Sequence, residues 1–393
     1  MAFLSQPPLF SLEDLEEAYA WICKIRKEYS PNSDIWSLRR DWEQLKHDFL
    51  TQLNRGSYQF GLIDRYEYDD AIISLWNSQD MIALKLLTQA LFQRMQPYLP
   101  KSCYHIKGHG GLKKAVARTY EVLSQYTYVM RTDIKGYYDS INFNVIFTII
   151  ESYVKHPVLL KLLRKACHRT ETTGGHFYEY HHKGMPKGSP LSPLMGAVAL
   201  MPFDQAMEQK QDIFYVRYMD DWVVLTKSKT ALRKIIKLTH HFMHSLQFQL
   251  HPMKTFIGKI SHGFNFLAYY MDHQKILPSK ETIRRFFERT TVLYEQAHLP
   301  RRYKKNIPER DISEYQVNEV APSDVYFQEI LTTLSSMATT KPALQAPLRR
   351  YLNQWACWLR FGLSSLPAYL SFVHTHLPSL FSCWTSGSAT FRA

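Results

Sequence analysis

Tyr218-Met219-Asp220-Asp221, set between Ile213-Phe214-Tyr215-Val216-Arg217 and Trp222-Val223-Val224-Leu225, decides how this sequence is read. Two β-rich arms around a short acidic tip predict a hairpin over 213–225. Adjacent carboxylates at the tip of an apolar hairpin are costly unless a cation neutralises them. Magnesium, a hard ion that takes oxygen ligands, meets that need. A solvated Asp-Asp turn is the competing reading.

A second acidic element lies upstream, in Met130-Arg131-Thr132-Asp133-Ile134-Lys135-Gly136-Tyr137-Tyr138-Asp139. It places Asp133 at the end of a strand predicted over 126–134. A strand-end carboxylate beside a hairpin-tip pair suits two metal ions about 3.5–4 Å apart, which serve in-line displacement at phosphorus. Gly136 permits a sharp turn after the strand, and Asp139 is expected to cap the helix that follows.

The 393 residues carry 48 Lys and Arg against 35 Asp and Glu, a net charge of +13 that suits a polyanionic partner. The 45% hydrophobic and 21% charged content excludes global disorder. Five scattered cysteines without a C-x-x-C pair argue against a disulfide framework or zinc knuckle. The first residues do not read as a signal peptide, and the uncharged region near the C-terminus, broken by Pro367 and Pro378, does not read as a membrane span. The expectation is a cytoplasmic protein with no membrane partner.

Helical spacing is expected over 11–54, opened by Ser11, and again over 80–98. Between them, 57–76 reads as two strands joined by a turn at Asp69-Asp70. A basic break at Lys107–Gly111 precedes another helix. Residues 143–168 and 230–246 are predicted helical, with a turn at Gly174-Gly175, and 263–271 reads as a strand. Beyond Pro278 the chain turns helical and basic, with Ser279 as a cap.

The two acidic segments resemble motifs A and C of reverse transcriptases, in the form found in bacterial enzymes of the group II intron-like and retron-like groups. Gly184-Met185-Pro186-Lys187-Gly188-Ser189-Pro190-Leu191-Ser192-Pro193-Leu194 resembles motif B, in the right order between them. Pro252-Met253-Lys254-Thr255 is similar to motif D, and Gly263–Tyr269 to the primer-grip motif E. The stretch Arg349–Gly362 resembles a group II intron thumb. The resemblance implies an α+β right-hand polymerase: an N-terminal helical region (1–55), fingers (56–111), a palm of antiparallel sheet plus helices (112–275) and a helical thumb and tail (276–393).

The resemblance also implies roles. Asp133 and Asp220 would hold two Mg2+ ions, with the Ile134 carbonyl contributing and Asp221 in support. Lys254 would approach the pyrophosphate. Tyr138 would stand under the sugar and select deoxynucleotides, with Tyr137 as the alternative register. Gly188 and Lys187 would lie against the nucleotide, although Lys187 stands where the family usually has Gln. Arg65, Lys85 and Lys107 remain alternatives for the triphosphate contact. Lys107, Arg284, Arg285 and Arg289 would bind the nucleic-acid backbone.

The function implied is RNA-directed DNA synthesis from deoxynucleoside triphosphates, giving a cDNA product on an RNA template. With no nuclease or Cys/His-rich module recognised, the expectation is a free-standing bacterial enzyme using a dedicated non-coding RNA, in antiviral defence. The alternatives are a retroelement mobility enzyme, an RNA-dependent RNA polymerase and a non-enzymatic RNA scaffold. Oligomeric state stays open, a homo-oligomer included.

Overall fold

The computed structural model describes residues 8–68, 71–282, and beyond these Arg284, Arg285, Phe286, Glu288, Arg289, Tyr351, Gln354, Trp355 and Trp358. The predicted turn residues Asp69 and Asp70, and most of the predicted thumb, lie outside the described residues. Chain contacts divide the protein into two compact units, one of residues 1–111, 132–224 and 228–255, the other of 112–131, 225–227 and 256–393. Among the described residues no helix is long and apolar enough to cross a membrane.

The first unit opens with helices Leu12–Ile25 and Asp34–Arg55. Ser11 and Asp14 form a reciprocal capping box, each side chain accepting the other's backbone N–H. Leu15, Ala18 and Ile22 of the first helix, and Ile35, Leu38, Trp42, Phe49 and Leu53 of the second, face the core. Helix Ser78–Met95 is capped by Asn77 and buried along most of its length.

The predicted pair of strands is present as Ile63–Tyr68 and Ala71–Leu75, antiparallel to each other. A hairpin that the sequence reading did not expect, Arg169–Thr173 with His176–Tyr180, joins them through a parallel contact with Ile63–Tyr68. Only the Gly174-Gly175 turn of that hairpin is visible locally; the strands are short, polar and half-exposed. A buried chain then fastens this sheet to the loop beginning at Gly184. Ser74 Oγ donates to Glu171, Arg169 Nε donates to Glu171 at 2.7 Å, and Arg169 Nη1 donates to the Gly184 carbonyl at 2.6 Å.

In the second unit, Tyr128–Arg131 pairs antiparallel with Phe256–Lys259. Residues 263–271, read as one strand, instead form a tight hairpin of Phe264–Phe266 and Tyr269–Met271, with Ile276–Pro278 as a third strand. Its turn residues Leu267 and Ala268 both have positive φ, 47° and 73°. Such turns are usually signalled by Asn-Gly or Asp-Gly, so nothing in the sequence marked this one. Ser279 caps as expected, its Oγ accepting from the Thr282 N–H at 3.2 Å.

Candidate active site

Asp133 follows directly on a strand whose last residue, Thr132, is fully buried. The segment after it is tied down by Gln249–Thr255. The His251 N–H donates to the Asp133 carbonyl and the Lys135 N–H to the Gln249 carbonyl, both at 2.8 Å, while the Thr132 and Thr255 hydroxyls meet at 2.6 Å. Ile134 lies opposite Leu250 in a bridge flanked by those two backbone bonds. That is the non-hydrogen-bonded position, so the Ile134 carbonyl faces away from Leu250. The same bonds bring Lys254 to the site, its Nζ 3.0 Å from Asp133 Oδ2. Asp133 is 7% exposed, and its other oxygen, Oδ1, is buried with no hydrogen-bond partner among the described residues.

The predicted acidic hairpin is present, with strands Ile213–Tyr218 and Asp221–Thr226. At its tip Met219 adopts a left-handed conformation, φ 57°, unfavourable for a side chain with a Cβ. Two bonds hold it there. The fully buried Arg217 donates through Nη1 to the Met219 carbonyl at 2.6 Å, and the Met219 N–H donates to His105 Nδ1 at 3.0 Å. Because Nδ1 accepts, the imidazole proton sits on Nε2, which donates to the Pro193 carbonyl at 3.2 Å. Burial, then the Arg217 charge, push the His105 pKa down to about 3, so the ring is neutral at any ordinary pH. Arg217 is itself anchored by Asp204, with Nε 2.7 Å from Oδ1, and the Tyr215 hydroxyl donates to the same carboxylate.

Asp220 follows this pinned turn. Burial, and next the charge of Asp133, raise its pKa above the ordinary carboxylate range. Asp133 thus adds to what opposes the ionisation of Asp220, and its own Oδ1 is satisfied by no protein group among the described residues. Among the described residues no group of three His, Cys, Asp or Glu side chains is arranged to hold a metal. The donors that do come together fit magnesium nonetheless, an ion held by one or two carboxylates with substrate phosphates and water completing its shell. Asp221, 9% exposed, begins the second strand, and its part in the site remains an expectation.

Gly136, at φ 57°, makes the predicted turn and opens the short helix Tyr137–Ser140. The two tyrosines then separate cleanly. Tyr137 is 4% exposed, donates to the Gly196 carbonyl and packs on Phe248. Tyr138 is partly exposed, points its hydroxyl at Met219 Sδ at 3.5 Å, and has its pKa raised to about 12 by burial and then by Asp220. Tyr138 is therefore the ring beside the acidic turn. Asp139 does not cap this helix: Gly136 occupies the cap position, and Asp139 lies exposed 3.6 Å from Lys187. Gly188 has φ 93°, a conformation that favours glycine, and an added Cβ would make only ordinary contact, 3.5 Å, with the Ser74 carbonyl.

Arg65 lies 3.9 Å over the Tyr178 ring and bonds to the Tyr180 hydroxyl. Lys85 sits over Trp21, between helices, and Lys107 is exposed in its loop. In the second unit the predicted basic face is partly neutralised along its own helix. Arg284 pairs with Glu281 and Glu288, Arg285 pairs with Glu281, and Arg289 is exposed.

Residues 74–271, about half of the chain, match the reverse transcriptase (RNA-dependent DNA polymerase) family, and the match spans Asp133, Gly188, Asp220 and Lys254. The chain belongs to the reverse transcriptases. Its fold is accordingly the α+β right-hand polymerase fold. The chain is 20% identical over 276 residues to an uncharacterized 91 kDa protein in the cob intron of Schizosaccharomyces pombe, covering 54% of itself and 34% of that protein. It thus spans about a third of that relative's length. Among solved structures it is similar to telomerase from Candida albicans in complex with a TWJ fragment of telomeric RNA. That likeness has a TM-score of 0.47 and 11% identity, over 88% of this chain and 67% of the other.

In this reverse transcriptase the residues that the sequence reading missed are Arg217, Asp204 and His105. Arg217 carried a signal: a charged residue in an otherwise apolar strand needs a buried partner. Asp204 and His105 carried none, because their roles exist only once distant segments meet.

Proposed function

We propose that the chain is an RNA-directed DNA polymerase. The observation that carries this reading is the pair Asp133 and Asp220, with Asp133 Oδ1 left unsatisfied at a buried strand end. Asp133 and Asp220 would hold two magnesium ions, with the Ile134 carbonyl and Asp221 in support. Bound magnesium supplies charge neutralisation on the transferring phosphoryl group. The protein's own part is positioning. The bracket of Arg217 and His105 holds the Met219 turn, and with it Asp220, still. Lys254 offers a cation beside Asp133 for the departing pyrophosphate. Tyr138 presents a ring where it would meet the sugar, and the Gly188 backbone gives close approach beneath the base pair. Fingers to 111, palm to 275 and thumb beyond is the division this reading gives.

Asp133→Asn and Asp220→Asn are expected to abolish magnesium-dependent deoxynucleotide incorporation while the fold persists by circular dichroism. Incorporation at the wild-type rate by either variant would overturn the assignment.

We further propose that the template is a dedicated non-coding RNA and the setting a bacterial cytoplasmic enzyme of antiviral defence. Sequencing the RNA that copurifies with the chain tests this: one recurrent species supports it, and a broad mixture defeats it. Retroelement mobility is a second reading, favoured by the intron location in the name of the fission yeast relative.

A further inference from the structure

Helix Pro157–Cys167 of the first unit is amphipathic. Leu159, Leu162, Leu163 and Ala166 are buried, while Lys161, Arg164, Lys165 and His168 follow one another at helical spacing along a single face. A basic face of this kind is ordinarily just solvated. Here it forms one wall of a cleft of about 430 Å3, the chain around Phe60 forms the other, and Arg169 and Thr170 complete the lining. Among the described residues no carboxylate lines this cleft.

Its walls are held in place. Lys165 Nζ donates to the carbonyls of Gly56, Ser57 and Tyr58, at 3.2, 3.3 and 2.8 Å. The buried Asp80 accepts from the Gly61 N–H at 3.0 Å and from the Tyr58 hydroxyl. Phe60 is braced edge-on by Tyr58 and Trp76, with ring centroids 5.2 and 5.8 Å away, and remains partly exposed.

The charge in the cleft is only partly cancelled. Arg164 pairs with Glu151 and Arg169 with Glu171, neither acid being part of the lining. The Lys165 bonds go to neutral carbonyls, which leave its charge in place. Burial and the Lys161 charge push the Lys165 pKa down, and burial with His181, Arg164 and His182 pushes down that of His168. Burial is the larger cause of both shifts, and the neighbouring positive charges add to it in the same direction.

A cationic groove with a fixed aromatic face is the chemistry that holds single strands: phosphates meet the cations and a base stacks on the ring. Arg169 also bonds the Gly184 carbonyl, at the start of the loop that carries Gly188. We propose that this cleft is a second nucleic-acid site, which takes the phosphates of a single-stranded RNA segment and stacks one of its bases on Phe60. The choice of RNA rests on the polymerase reading; the cleft itself uses none of the acidic residues.

The test is fluorescence anisotropy of a labelled single-stranded oligouridylate on the full chain, in EDTA, across a salt series, with variants matched for folding by thermal melting. Lys161→Glu should weaken binding several-fold and flatten the log–log salt slope by about 0.7, one phosphate contact. Phe60→Leu should weaken RNA binding by at least about 5-fold, the lower end for one stacked base, while leaving the affinity for inorganic polyphosphate unchanged. A folded Lys161→Glu protein with wild-type affinity and slope overturns the site, and so does equal loss of RNA and polyphosphate binding in Phe60→Leu. Polyglutamate that displaces RNA as well as polyphosphate does overturns the nucleic-acid assignment. Because binding is read without metal, a wild-type chain that incorporates no nucleotide would sink the polymerase reading and leave the cleft result standing.

Discussion

Asp204 and Asp133 are both buried carboxylates of the first unit, and the protein treats them in opposite ways. Asp204 meets the Arg217 guanidinium and the Tyr215 hydroxyl, so both its charge and its hydrogen-bonding capacity are answered from within. Asp133 meets one half-exposed ammonium, keeps an unsatisfied oxygen, and has a second carboxylate in electrostatic reach. A buried charge that serves only the fold is matched by its neighbours. One left unmatched is kept for a group the chain does not itself supply.

The comparison breaks first at Arg217. Arg217→Met leaves Asp204 buried without its cation and should cost about 3–5 kcal/mol, read by urea denaturation. A wild-type midpoint would mean that the pair is not what holds the hairpin. His105→Ala tests the other half of the bracket. With the acceptor for the Met219 N–H gone, the turn can relax, and kcat should fall about 10²-fold from misplacement of Asp220. Single-turnover kinetics should show the deoxynucleotide KM nearly unchanged; a loss confined to KM would assign His105 to substrate binding instead.

Tyr138→Ala sharpens the comparison by asking what lies over the unmatched acids. Ribonucleotide use relative to deoxynucleotide use should rise by at least about 10-fold, measured by single-nucleotide extension on one RNA template. Tyr137→Phe removes a buried hydroxyl from the core and should leave that ratio alone, at a cost of about 1 kcal/mol. An unchanged ratio in Tyr138→Ala would remove the main physical support for a DNA product.

The smallest effect is one of sign. The folded protein holds the Asp220 proton more tightly than the unfolded chain does. Stability is therefore lost as pH rises from the ordinary carboxylate range through the raised one. At neutral pH and without metal, Asp220→Asn should accordingly raise Tm by about 2 °C, opposite in direction to Arg217→Met. Magnesium should raise the Tm of the wild type and not of the variant, by differential scanning fluorimetry. A drop in Tm for Asp220→Asn in EDTA would show that Asp220 is matched after all.

Much of this molecule can be read from local pattern. The Ser11 cap, the helix expected over 80–98 and the hairpin around Tyr218–Asp221 follow from rules that span a few residues. Asp133 and Asp220 could be named because a carboxylate at a strand end, and another at a hairpin tip, are locally odd. What the sequence by itself determined is therefore most of the helices, the acidic hairpin, the family and the acidic pair, but not the hairpins at Arg169–Tyr180 and Phe264–Met271. Tertiary structure alone decided that Arg169–Thr173 lies parallel to Ile63–Tyr68, more than a hundred residues away, because a polar strand gains its place only from its neighbour. It decided that Tyr137 is core and Tyr138 faces the acids, since adjacent residues diverge only once the Gly136 turn has set their directions. It also paired Arg284 and Arg285 with Glu281, where sequence counted only their charge. Above all it placed His105 and Arg217 on either side of Met219. Arg217 lies two residues away on the same hairpin, but His105 comes from a segment 114 residues distant, and no local pattern records which segments will meet.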